Sequence, residues 1–225
     1  MIKTPDLIAS LAANVAPVRR LRPPAIRAAC WLLLAAVVLT LLAISQGIRP
    51  DFAQRLQDPA FAVSMAAPLL TGVLAAFASF LVSLPDRSRL WLFLPAPALI
   101  VWLSNIGYQC LTQWIGIGPE GFSLGETARC FATLVLTSLP LSLAMLVMLR
   151  YAAPLRPTAV TLMGSLAVAA ITATALSLFH AIDATAMILM WNVGTAVLLV
   201  GLGGVFGRKM FRWVEPHTHL ARDRE

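Results

Sequence analysis

The sequence predicts an all-α, polytopic membrane protein: six transmembrane helices with both termini in the cytoplasm. Three observations predict it. Of the 225 residues, 59% are apolar and only 12% charged, where a soluble domain carries about 25% charge. Long apolar stretches replace the period-2 or period-3.6 alternation of a water-facing chain. Of the 17 Lys and Arg, all but Arg49, Arg55 and Arg129 fall in the two tails or in alternate connections. That is the asymmetry by which basic residues mark cytoplasmic segments.

Each span follows from length and apolarity. A helix rising 1.5 Å per residue needs about 20 residues to cross about 30 Å of hydrocarbon. The segments are Ala28–Ile48, Ala62–Leu84, Leu90–Gly107, Phe131–Leu149, Thr158–Phe179 and Ala184–Gly207. Pro95 and Pro97 fall in the short third span, Pro68 in the second and Pro140 in the fourth; each reads as a kink whose freed carbonyl is satisfied by neighbours. The first run is too long for a cleaved leader and reads as a span. The chain divides into a cytoplasmic arm (1–26), a membrane domain (27–208) and a cytoplasmic tail (209–225). The net charge of +7 is the orientation signal, not a sign of direct nucleic-acid contact.

With this topology the stretch YQCLTQWIGIGPEGFSLGETARC is external, with Cys110 and Cys130 at its two ends. In a bacterium that side is the periplasm, where thiols oxidise. His180, in LFHAID, ends the fifth span on the same face. Three readings stand open: a structural disulfide, a switchable thiol pair, or a metal site completed by His180. The spacing matches no metal motif, and neither a metal nor a cofactor is assigned. Cys30, beside Trp31 in span one, reads as a small packing residue.

The arm begins MIKTPDLIASLAANVAPVRRLRPP. Thr4 is placed to cap a helix, with Pro5 at its first position and Asp6 in its first turn. Leu7, Ile8, Leu11 and Val15 share one face at helical spacing. Pro23 and Pro24 stop any helix before span one. Three turns are marginal alone, so the face needs a cover: the membrane surface, the protein's own loops, or a partner's groove. Arg19 and Arg20 offer charge to anionic lipid or to an acidic partner.

No Asp, Glu, Lys or Arg lies mid-span, which argues against an ion-coupled transporter. Asn105 and Asn192 read as interhelical hydrogen-bonding residues, and GLGGVFG in the last span as a close-packing or dimerisation face. No nucleophile–base pair, phosphate loop or metalloprotease motif points to an enzyme. His217 and His219 read as solvated.

Five stretches together, DLIASLAANVAPVRRLRPP, LPDRSR, LGETARC, LRYAAPLRP and LFHAIDATAMILMWN, resemble the NrsF-like family of six-span bacterial anti-sigma factors. The resemblance covers nearly the whole chain in order and spacing. It implies a protein that holds an extracytoplasmic-function sigma factor at the inner membrane and releases it on envelope stress, metal or oxidative. It also implies that Cys110 and Cys130 matter for sensing. The partner-binding residues are then Asp6, Leu7, Ile8, Leu11, Val15, Arg19 and Arg20; the sensor residues are Cys110, Cys130 and His180. The alternatives are a small transporter or thiol/metal-site membrane protein, and a subunit packing through the glycine-rich sixth span. Oligomeric state is not legible.

Overall fold

The computed structural model describes residues 22–113, 124–150 and 156–179, with the single positions Thr4, Ala13 and Gly201; over 109–113 and 124–130 the description covers the backbone alone. The described residues are helical, without strands. The helices are α1 (Pro24–Gln46), a single turn α2 (Phe52–Arg55), α3 (Pro59–Val82), a 3-10 helix (Arg89–Phe93), α4 (Ala96–Gln113), α5 (Leu124–Arg150) and α6 (Pro157–Phe179).

Among the described residues, five segments are long and apolar enough to cross a membrane: Pro24–Gln46, Pro59–Val82, Arg89–Tyr108, Phe131–Arg150 and Pro157–Phe179. They coincide with the first five expected spans to within a few residues. The sixth, Ala184–Gly207, lies outside the described residues apart from Gly201, as does its glycine motif.

Proline and glycine set the boundaries. Pro24, Pro59 and Pro157 each open a helix, where a missing N–H leaves no bond unmade. Asp58 caps α3, its carboxylate accepting from the Ala60 N–H at 3.0 Å. Gly47 ends α1 at φ +77°, its N–H donating to the Ala43 carbonyl at 3.1 Å; a side chain there would strain the backbone. Pro95 and Pro97 differ from expectation. They sit where the 3-10 helix gives way to α4, with the Leu99 N–H donating to the Pro95 carbonyl at 2.9 Å. They start a helix and do not kink one, because the first turn has no upstream carbonyls to lose. Pro68 and Pro140 do lie inside α3 and α5.

α3 and α6 form the centre. Over an apolar stretch of 18 residues, each is 61% buried, against 22% for α1, 17% for the third span and 33% for α5. They pack closely because their facing residues are small. A Cβ on Gly72 would lie 2.9 Å from Ile171 Cδ1 and 3.3 Å from the Ala167 carbonyl oxygen. Lipid chains are as apolar as leucine, so close contact of small residues supplies the attraction between such helices. α1 and α4 pack on α3, and α5 packs on α6 and α1. One apolar core joins Trp31, Phe80, Leu141, Met145, Leu149, Val160 and Ile171. A smaller one seats α4 through Trp102 against Ala67, Ala170 and Ala173.

Candidate functional site

The bundle has two ends, and side-chain bonds identify each. At the arm end, Arg27 on α1 donates from its guanidinium to the Met148 carbonyl on α5. The same guanidinium lies 4.9 Å from the centre of the Phe80 ring on α3, a cation–π distance. Arg156 donates to the Arg87 carbonyl at 3.3 Å. At the thiol end, the Thr133 hydroxyl on α5 donates to Gln46 Oε1 on α1 at 2.9 Å. The Arg49 N–H donates to the Leu178 carbonyl on α6 at 3.3 Å. The helices therefore alternate in direction, as the sequence predicts.

The backbone of Cys110 lies in the last turns of α4 and that of Cys130 in the first turns of α5, so both stand toward the thiol end. α4 packs on α3, whereas α5 packs on α6 and α1. The two thiol-bearing helices are thus not a packed pair over the described residues. The Cys110 and Cys130 side chains, and His180, lie outside those residues. So do the arm positions Asp6, Leu7, Ile8, Leu11, Val15, Arg19 and Arg20.

The thiol end carries a residue that sequence reasoning used only for orientation. Arg49 is buried. Its guanidinium grips Asp51 through both oxygens, Nε to Oδ1 at 2.7 Å and Nη2 to Oδ2 at 2.8 Å, and stands 5.4 Å from the Phe61 ring centre. Arg55 approaches Asp51 Oδ2 at 3.3 Å. The hydrogen bonds from Arg49 hold the Asp51 carboxyl at about 2, below its ordinary value of 3.8. Phe52 meets Phe61 edge to face at 6.3 Å. These contacts fix the α1–α3 connection, and the Arg49 backbone N–H ties it to the Leu178 carbonyl at the end of α6, two residues before His180. The signal in the sequence was GIRPDF, an Arg-x-Asp two residues after a helix-stopping glycine.

Arg27 was likewise counted only for orientation. It is buried and joins α1, α3 and α5 where the arm enters the bundle. One turn after Arg27 on α1, the Trp31 indole N–H donates to the Leu141 carbonyl at 3.1 Å, one residue beyond Pro140. Three polar bridges thus stitch α1 to α5: Gln46 with Thr133, Trp31 with Leu141, and Arg27 with Met148.

Two expectations are corrected. Cys30 is exposed on α1 and does not pack within the bundle; its position on the 3.6-residue period faces away from Trp31. Asn105 makes no interhelical bond through its amide nitrogen, which is buried without a partner, as is the Thr172 hydroxyl. The interhelical side-chain bonds come instead from the Trp31 indole, the Arg27 guanidinium and the Thr133 hydroxyl, the last donating to the Gln46 amide oxygen. Most intramembrane hydroxyls turn back on their own helix, as Thr71 does to Ala67 at 2.7 Å and Thr137 to Thr133 at 2.7 Å.

The family profile described as NrsF, negative regulator of sigma F, matches residues 11–213. The chain belongs to the NrsF family. The match starts inside the arm and runs through the whole described bundle, so a negative regulator of a sigma factor is the role its membership assigns, and a sigma factor is the partner it implies. Nothing among curated proteins and nothing among solved structures matches the chain. For an NrsF-family chain, the clamps at Arg27 and Arg49 describe how the two ends of the bundle are tied.

Proposed function

We propose that this NrsF-family protein is a membrane-bound anti-sigma factor of the bacterial inner membrane, with both termini cytoplasmic. It sequesters an extracytoplasmic-function sigma factor and releases it on a metal or oxidative stress of the envelope. The observation that carries this reading is the family match over residues 11–213 on a chain with five membrane-length helices.

In this reading the arm, residues 1–26, presents Leu7, Ile8, Leu11 and Val15 to the sigma factor, in the mode of a helix entering a groove. Asp6, Arg19 and Arg20 flank that face. Oxidation or metal binding at Cys110 and Cys130, with His180 nearby, acts at the other end. The α1–α5 seam supports such a route, because α5 carries Cys130 near its start and Met148, the partner of Arg27, near its end. Arg27 follows the arm directly. A signal must favour one of two bundle states, and a tenfold change in affinity for the sigma factor requires about 1.4 kcal/mol.

The test is co-purification. The protein is tagged at its C-terminus, extracted in mild detergent, and compared with a form lacking the first 24 residues. The expected result is a sigma factor retained by the full chain and absent from the shortened one. A sigma factor retained equally by both removes the arm from the reading; none in either removes sequestration.

A further inference from the structure

At the arm end the α3–α4 and α5–α6 connections meet through the bond from Arg156 to the Arg87 carbonyl at 3.3 Å. That bond brings a third guanidinium to a turn that already carries Arg87 and Arg89. Arg87 and Arg89 are exposed and Arg156 is half-buried. The one carboxylate in the turn, Asp86, lies 3.8 Å from Arg87 with 70% of its side chain open to solvent. A pair so exposed neutralises little, and the patch keeps an excess of positive charge.

The 3-10 helix follows immediately. Ser88 caps it by accepting from the Leu90 N–H at 3.2 Å. Leu92 packs against the core, whereas Leu90 is 74%, Trp91 38% and Phe93 70% exposed. Ile100 and Leu103 continue the exposed apolar surface along α4. Arginines and large apolar side chains are therefore presented together on one short element. An acidic peptide or a free phosphate would answer the arginines and make no use of Leu90 and Phe93. Hydrocarbon alone would cover the apolar groups and leave the guanidiniums without counter-charge. A molecule with an anionic head and apolar chains answers both, as at the aromatic and basic belt of a bilayer interface.

We propose that Arg87, Arg89 and Arg156, with Leu90, Trp91 and Phe93, form a binding site for an anionic phospholipid. The guanidiniums hold its phosphodiester, and its chains lie against the exposed face of the 3-10 helix and α4. The proposal concerns a surface separate from the arm and the thiols, and does not depend on the sigma-factor reading.

The experiment is native mass spectrometry of the full chain in non-ionic detergent, titrated with phosphatidylglycerol, phosphatidylcholine or glycerol phosphate. Phosphatidylglycerol is expected to be retained over the zwitterionic lipid. Each arginine removed weakens it about fivefold, so Arg87→Gln with Arg89→Gln weakens it about 25-fold. Arg87→Lys with Arg89→Lys keeps most of the binding and shows that the double change is tolerated by the fold. Equal retention of the two lipids, or undiminished phosphatidylglycerol binding in the glutamine variant, overturns the proposal. Glycerol phosphate binding as tightly as the lipid also overturns it, leaving an anion site without a lipid.

Discussion

Trp31 on α1 donates its indole N–H to the Leu141 carbonyl on α5 at 3.1 Å, across 110 positions of sequence. Both residues are fully buried. The bond joins the helix that the arm runs into with the helix that begins near Cys130. It lies between the Gln46–Thr133 and Arg27–Met148 bridges, one turn from Arg27 on α1 and halfway between Thr133 and Met148 on α5.

Replacing the indole separates the bond from the volume. Trp31→Phe keeps an aromatic ring and loses the donor, which costs about 0.6 kcal/mol for an average interhelical bond in a membrane. Trp31→Ala also opens a cavity and costs about 3–5 kcal/mol. Thermal unfolding in detergent should rank wild type, Phe and Ala in that order with unequal steps. Equal losses for the two variants would assign the whole effect to the lost donor, and no loss in the Phe variant would assign it to volume.

Two glycines of similar setting in the sequence have opposite surroundings. A Cβ on Gly72 meets Ile171 and the Ala167 carbonyl, whereas one on Gly107 meets nothing within 4 Å. Gly72→Val is expected to destabilise by about 1–3 kcal/mol through overpacking. Gly107→Val is expected to leave stability near wild type. The same unfolding assay reads both.

The Arg49–Asp51 clamp has a defined pH window. The folded carboxyl is held at about 2 by Arg49, below the ordinary 3.8. A depressed carboxylate contributes stability that is present above the unfolded value and is lost as pH falls through the folded one. The advantage of wild type over Asp51→Asn should therefore be constant above about pH 5, shrink between pH 4 and 2, and vanish below. Melting curves of both proteins across that range measure it; a gap undiminished at pH 2 would show that the carboxylate charge is not its source.

Leu11→Asp places a charge in the middle of the arm's apolar face. On the proposed function it should reduce co-purifying sigma factor at least tenfold, since burying an unpaired carboxylate costs more than the about 1.4 kcal/mol that a tenfold loss represents. On the same reading the membrane bundle should unfold at the wild-type temperature.

Cys110→Ser and Cys130→Ser test the thiols. A reporter for the target regulon should lose its induced response in at least one of the two strains while protein abundance holds. Unchanged basal and induced output in both would remove the thiols from the mechanism.

The helices themselves were legible because their signals are local. Apolar length and proline placement put the fourth span at Phe131–Leu149, where the structure has Phe131–Arg150, and the fifth at Thr158–Phe179, where it has Pro157–Phe179. The motifs on which the family resemblance rests are equally local, and the family match bears them out. Which helix lies inside was not read. Lipid and protein core are both apolar, so a membrane helix has no polar face to reveal its neighbours. The available sign was a run of small residues, Thr71, Gly72, Ala75, Ala76 and Ser79 on α3, all buried. Tertiary structure alone decided that α3 and α6 meet at Gly72. It decided that the Arg27 guanidinium is held by Met148 and Phe80, far away in sequence, and that the Arg49 backbone N–H reaches Leu178 while its guanidinium is buried against nearby Asp51 and Phe61. A charge reports its side of the membrane through composition, but its burial depends on which carbonyls and rings the fold carries to it.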